Sequence, residues 1–494
     1  MGTGGEPVMQ LPIRIDDNRN QGLQLQVFEQ IRGLILDGRL RPGTRLPASR
    51  MLADDLGISR NTVVLAYDRL RDEGYLEVRK PNGTYVSSVV IPDGPGVPGN
   101  GEVESAAPDY RTRLVFRGRT HVVVSPYDDR VPYDFWVGRP DARLFPAKTW
   151  QTLVNQSMRR MRHGISTYTD PAGLHRLRTA VAEYVGLARG IKADADQVMI
   201  INGTQEGLNV MARLFVRADT PVVVENPGYL GAANVFESYG ARLISIPVDG
   251  NGVSPEDLPN GAALYYLTPS HQYPTGVTLS MERRERLLQR ATRLGGYIVE
   301  DDYDADFYYD SAPLPALKSL DTDEQVVYLG TFSKSLGAGL RLGYMILPRH
   351  LVEAATTAKA LLNNCSPWLS QASLAEFIES GGFMHHLRRI RQIYRARRDV
   401  LLDALGRHFG PVEATGAQSG MHLAWRLPDG FPEADDLERR CRRFGVGVYS
   451  VPTGNARASG DARQRHARTV MMGYAGLDET EIAEGVSRLS QAAE

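Results

Sequence analysis

Seven apolar runs, at 198–201, 222–225, 242–246, 263–267, 297–300, 326–329 and 344–347, alternate with longer segments of helical periodicity. No other feature of the chain restricts its fold as much. Short apolar runs between helical segments read as buried strands. Strands separated by helices pair in parallel, because the chain crosses over the sheet before it returns. The region 133–494 is therefore expected to be an α/β domain with a mostly parallel sheet and a smaller C-terminal α/β subdomain. Ligands of such sheets bind at the carboxyl ends of strands. Polar motifs follow the runs there: Gly203-Thr204-Gln205, Asn226-Pro227-Gly228-Tyr229, His271-Gln272-Tyr273-Pro274-Thr275-Gly276, Asp301-Asp302-Tyr303 and Thr331-Phe332-Ser333-Lys334.

These motifs suit one ligand. A lysine just after an apolar strand, flanked by hydroxyl residues, can form a Schiff base when partly buried. Arg341, seven residues after Lys334, can pair with a phosphate bidentately. A Gly-Thr-Gln turn opening a helix adds backbone donors and a hydroxyl for the same phosphate. A carboxylate at a strand end, Asp301, can hold a pyridine nitrogen protonated and keep the ring an electron sink. Tyr229 can stack on the ring and Tyr303 can bond its hydroxyl. Each residue alone has a plainer reading: a solvated Lys334, a helix-capping Asp301, a packing Tyr229, a salt-bridging Arg341. In order and at strand ends, they describe a pyridoxal 5′-phosphate site.

Upstream, eight of the seventeen residues from 92 to 108 are Pro or Gly, which reads as a linker because such a stretch has few side chains to bury. The expected organisation is a small unit at 1–90, a linker at 91–132 and the large unit at 133–494. In the small unit, Val27, Phe28, Ile31, Leu34 and Ile35 recur at helical spacing. A second helix carries Leu52 and Leu56 to Gly57, with Ser49 as a candidate cap. Ser59 caps a third helix, whose Val63, Ala66, Tyr67 and Leu70 share one face. Two short β-rich runs about Asn82-Gly83 then make a hairpin. Three helices and a basic-tipped hairpin describe a winged helix-turn-helix. Its expected contacts to double-stranded DNA are Arg50, Ser59, Arg60, Asn61, Thr62, Tyr67, Arg79, Lys80 and Gly83.

Composition sets limits on these readings. Lys and Arg total 57 against 58 Asp and Glu, a formal net charge of −1, so nucleic-acid binding must come from a local patch. A hydrophobic fraction of 42% excludes a wholly disordered chain. The absence of a long apolar run argues against a membrane span. The two cysteines, Cys365 and Cys441, cannot build a disulfide framework or a four-ligand zinc site, and they suit a reducing cytoplasm.

The run LRPGTRLPASRMLADDLGISRNTVVLAYDRLRDEGYLEVRKPNGTYV, residues 40–86, resembles the DNA-binding module of GntR-type bacterial regulators. The large unit, from about Asp134 onward, resembles fold-type I aminotransferases. Within these, DFWVGRPDARLFP, YTDPAGLHRLRTAVAEYV, NGTQEGLNVMARL, ENPGYLGA, TPSHQYPTG, VEDDYDADF and GTFSKSLGAGLRLGY resemble the MocR subfamily of GntR regulators. That resemblance implies Lys334 as the Schiff-base lysine, Asp301 at the pyridine nitrogen and Tyr303 at the ring hydroxyl. It implies Thr204, Gln205, Thr331, Ser333 and Arg341 around the phosphate, and Tyr229 over the ring. It also implies a homodimer in which Tyr168 reaches the neighbouring subunit's phosphate, and Arg468 as the grip on a substrate carboxylate. Many transaminases carry Asn immediately before the Pro-Thr-Gly; this chain has Tyr273, as the subfamily does. The expected function is a cofactor-dependent transcriptional regulator responding to a small amine or amino acid. The alternative is a working aminotransferase that carries a DNA-binding head.

Overall fold

The computed structural model describes residues 11–16, 21–79, 83–87, 131–160, 166–310 and 312–493. The chain divides into two compact units, Met1–Leu114 and Val115–Glu494. The Pro/Gly-rich segment expected as a linker, and Lys80, lie outside the described residues.

In the first unit, helix α1 (Leu23–Leu36) buries Val27, Phe28, Ile31, Leu34 and Ile35 on one face. Helix α2 (Ser49–Leu56) ends at Gly57, whose left-handed backbone (φ 66°) closes the last turn. Ser49 does not cap it: Ser49 is the first helical residue, and Ala48 in the cap position makes no side-chain bond. Helix α3 (Arg60–Asp72) is capped by Ser59, whose Oγ accepts from the Thr62 amide at 3.1 Å. Its inward residues, Val63, Ala66, Tyr67 and Leu70, complete the core formed with the first two helices. Strands β1 (Leu76–Arg79) and β2 (Gly83–Val86) pair antiparallel, Leu76 opposite Val86 and Arg79 opposite Gly83. The stretch 44–46 adds a third rung. Leu46 N donates to Thr84 O and Val86 N to Thr44 O, both at 2.9 Å. The preceding Pro42-Gly43 turn gives no hint of that pairing.

The second unit is built on an eight-stranded sheet. Its strands are β3 (Val198–Ile201), β4 (Pro221–Asn226), β5 (Arg242–Asp249), β6 (Gly252–Val253), β7 (Leu264–Leu267), β8 (Tyr297–Asp301), β9 (Val326–Thr331) and β10 (Gly343–Ile346). The spatial order is β3-β10-β9-β8-β7-β4-β5-β6. Pairs from β9 through β8, β7 and β4 to β5 are parallel, as the alternation with helices requires. β10 runs antiparallel to both β9 and β3, and β6 antiparallel to β5. The reason at β10 is the short connection from Thr331 to Gly343, which has no room for a crossover helix. Helix α4 (Thr204–Phe215) follows β3 directly, after Gly203 at φ 94°.

A second, antiparallel sheet forms the C-terminal part. Its strands are β11 (Glu413–Thr415), β12 (His422–Arg426), β13 (Tyr449–Ser450) and β14 (Thr469–Gly473), in the order β11-β12-β14-β13. Among the described residues no helix is long and apolar enough to cross a membrane.

Candidate functional site

The acids of the 300–306 stretch end β8 and continue beyond it, and each has at least one partner. Glu300 accepts from the Leu317 and Lys318 amides at 2.8 and 2.9 Å. Asp302 pairs with the Arg189 guanidinium at 2.7 Å, Asp304 meets His271 Nδ1 at 2.7 Å, and Asp306 accepts from the Tyr184 hydroxyl. Asp301 differs. Its Oδ2 accepts from the Tyr266 hydroxyl at 2.7 Å, its Oδ1 is buried and unpartnered like that of Asp302, and, unlike Asp302, it has no guanidinium beside it. Burial pushes its carboxyl up to about 7, against the smaller opposing effects of the Tyr266 bond and the Lys334 charge. A pyridinium N–H is the kind of donor this oxygen lacks.

Lys334 stands on the turn between β9 and β10. Residues Ser333–Gly337 form one widened helical turn directly after the strand, which places the lysine at a strand end. Its Nζ donates to the Gly138 carbonyl at 2.8 Å. Burial holds the amine below the usual lysine range, against the opposing pull of Asp304 and Asp301. A lysine that sheds its proton easily is a competent nucleophile.

The residues expected around an anion stand as follows. Gly203 precedes Thr204 and Gln205, the first residues of α4. A Cβ at Gly203 would lie 2.7 Å from the movable Arg341 Nη2, and the φ of 94° is the firmer reason for glycine there. Arg341 takes a left-handed conformation (φ 52°) and donates to the Asn202 carbonyl. Thr331 Oγ1 and Ser333 Oγ lie 3.0 Å apart, and Thr331 Oγ1 also accepts from the Ser333 amide. A helix N-terminus, two hydroxyls and a guanidinium thus stand where β3 and β9 end beside the start of β10. The orphaned Asp301 oxygen, the partly buried amine and this cradle fit pyridoxal phosphate.

Tyr229 bonds Gln205 Nε2 at 3.1 Å and meets Tyr273 edge-on at 5.7 Å. The Tyr303 hydroxyl donates to the His271 carbonyl at 3.1 Å. Sequence reasoning missed Tyr266 under Asp301. It also missed Asp304 and His422, which gather with His271 so that their polar atoms lie within 4.8 Å of one another. These partners come from distant strands and carry no local signal.

Arg468 is a correction. It precedes β14, and its guanidinium donates to the Pro428 carbonyl. Gly473, at the far end of β14, packs against Trp136 and Val137, next to the Gly138 that meets Lys334. Five residues of strand separate Arg468 from that end, roughly 16 Å at ~3.3 Å per residue. Tyr168 is 83% exposed in the single chain.

In the first unit, Arg50, Ser59, Arg60, Asn61, Arg79 and Gly83 are exposed and Thr62 half-exposed. Arg79 bonds Glu77 at 2.9 Å and lies over the Tyr85 ring. Tyr67 is a second correction. It is 8% exposed, and its hydroxyl donates to the Pro47 carbonyl at 3.0 Å. The helical period that carries Val63 and Leu70 inward takes Tyr67 with them, so it serves the core.

Residues 23–86 match the bacterial regulatory proteins of the gntR family, and residues 140–489 match aminotransferase class I and II. The chain is 35% identical over 482 residues to a probable rhizopine catabolism regulatory protein, MocR, of Rhizobium meliloti, covering 97% of this chain and 95% of that one. It is 32% identical to the transcriptional regulator TauR of Rhodobacter capsulatus, covering 95% and 96%. Among solved structures, LysN, an α-aminoadipate aminotransferase of Thermus thermophilus complexed with N-(5′-phosphopyridoxyl)-L-leucine, matches with TM-score 0.65 and 30% identity, covering 73% of this chain and 92% of that one. A kynurenine aminotransferase of Pyrococcus horikoshii matches with TM-score 0.66 and 29% identity, covering 73% and 90%. A gntR-type DNA-binding head joined to a class I and II aminotransferase domain, matched nearly end to end by regulators of the same build, places this chain in the MocR subfamily of GntR-type transcriptional regulators.

Proposed function

We propose that this regulator holds pyridoxal 5′-phosphate at Lys334 and uses it to sense a small amine, changing DNA binding by the head. When bound, the cofactor supplies an aldehyde carbon at which primary amines exchange reversibly. The chain's own residues do the rest. Lys334 presents a readily neutral amine, Asp301 supplies a carboxylate to the ring nitrogen, and Tyr229 and Tyr303 flank the ring. Thr204, Gln205, Thr331, Ser333 and Arg341 take the phosphate. The observation that carries this reading is the unpartnered Oδ1 of Asp301, an acid that, unlike Asp302, has no guanidinium against it and lies within electrostatic reach of Lys334.

The exposed start of α3 and the wing would meet DNA, with Ser59, Arg60, Asn61 and Thr62 at base edges and phosphates, and Arg50, Arg79, Lys80 and Gly83 flanking. The protein would act as a cytoplasmic homodimer. Tyr168, exposed in one chain, would reach the partner's phosphate, and two heads would read two half-sites. An effector can shift DNA affinity only by its differential affinity for the two states.

The test is Lys334→Ala in the full chain. The variant should lose the visible absorbance of bound cofactor and its amine-dependent change in DNA mobility, while keeping basal DNA affinity. Wild-type absorbance and amine response in the variant would refute the assignment.

A further inference from the structure

The geometry points to an effector that is a primary amine with an apolar, aryl or alkyl body and no carboxylate on the amine-bearing carbon. This rests on the reading that amines are received beside Lys334, and it follows from what lies against that residue. Lys334 Nζ touches the Gly138 carbonyl, and a Cβ on Gly138 would stand 2.6 Å from Nζ. The segment before Gly138 brings Trp136 and Val137. The Trp136 ring meets Tyr449 edge-on at 4.6 Å. Val137, Tyr449 and Met471 form a buried cluster on which Trp136 and Tyr273 pack. Tyr273 in turn meets Tyr303 edge-on at 5.9 Å. Aromatic rings and a thioether thus cluster about the segment that leads to Gly138, the residue the amine touches.

Among the described residues, the nearby cations are committed elsewhere. Arg139 is bound to Asp134 at 2.7 Å, and Asp134 also accepts from the Tyr449 hydroxyl. Arg341 serves the anion cradle, and Arg468 lies at the other end of β14. Asp301 and Asp304 add negative charge within electrostatic reach of Lys334. A carboxylate entering here would lose its water, gain no bidentate guanidinium and face two acids. An aryl or alkyl group instead gains burial against rings, and its ammonium form is drawn in by the same two acids.

Matched pairs test the inference: phenethylamine against phenylalanine, and butylamine against 2-aminobutyrate. Each is titrated into the cofactor-loaded full-length protein, followed by calorimetry and by the cofactor's visible spectrum. The amine of each pair should bind about tenfold or more tighter than its carboxylated partner. Trp136→Ala should weaken phenethylamine about fivefold or more while changing butylamine less than about twofold. Equal or tighter binding of the amino acids by a normally loaded protein overturns the inference and leaves the cofactor assignment standing. A protein that never acquires the visible band overturns both. Equal losses for both amines in Trp136→Ala remove the aromatic cluster from the explanation and overturn the aryl preference.

Discussion

Replacing Asp301 by Asn should make the cofactor-free protein more stable and its hold on the cofactor weaker, because both effects arise at one carboxylate. In the folded chain, burial pushes this carboxyl up to about 7, against ~3.9 for an unperturbed Asp. A raised value means the fold favours the protonated form. Its contribution to stability is whole below about pH 4 and is lost as pH rises through about 7. Three units at ~1.4 kcal/mol each bound the loss at about 4 kcal/mol; relaxation and water entry bring the expected figure to about 1–2 kcal/mol. Asn has no charge to bury, and its oxygen can still accept the Tyr266 bond, 2.7 Å in the wild type. The cofactor-free variant should therefore melt about 1–3 °C above wild type at pH 8 and indistinguishably from it at pH 4. Glu225 and Glu300, which burial also pushes up to about 7, titrate in both proteins, so the difference reports Asp301. The same change removes a charge-assisted bond to the ring nitrogen, ~1.5–3 kcal/mol, which weakens cofactor affinity by roughly 10- to 150-fold. Scanning calorimetry of cofactor-free protein at both pH values, with cofactor titration, checks the pair. A variant less stable than wild type at pH 8, or one that binds cofactor unchanged, would refute the reasoning.

Arg60→Ala, at the exposed first turn of α3, should weaken DNA binding about tenfold and reduce the slope of affinity against salt by about one. A mobility-shift series at several salt concentrations reads both, and an unchanged slope would remove Arg60 from the phosphate contacts. Tyr67→Phe should cost the head about 1 kcal/mol through the lost bond to the Pro47 carbonyl. Hydrogen exchange at the α3 amides measures that cost. Sequence preference on DNA should not move, and a change of preference would contradict the core placement.

What the sequence carries is local. All seven expected strands form, most with ends within two residues, because apolar runs are cut off sharply by motifs such as 203–205 and 301–303. Ser59 announces itself as a cap by its place before an apolar period. The direction of β10 is less visible, since an apolar run reads the same both ways and only the length of its connection decides. Tyr266, 35 residues from Asp301 in sequence, and His422 belong to the site through sheet pairing and packing. Neither position differs in the sequence from any other core residue.

Arg468 and Asp301 show the two sides of that limit. An arginine shortly before a glycine in a late strand looks well placed for an anion, yet a strand advances by more than 3 Å per residue. Arg468 stands just before the strand that Gly473 ends, so a spacing of five residues removes it from that end. Met471 occupies the stretch between, inside the cluster with Val137 and Tyr449. For Asp301 and Asp302 the sequence offers two adjacent carboxylates of the same chemistry. Alternation along a strand sends neighbours to opposite faces. Asp302 meets the Arg189 guanidinium and the Tyr328 hydroxyl, while Asp301 meets only a phenol, and each keeps one buried oxygen unused. What separates a ligand-facing acid from a structural one is therefore the presence of a cation opposite it. Exchanging that cation, as in Arg189→Met, should strand Asp302 in the way that Asp301 is stranded now.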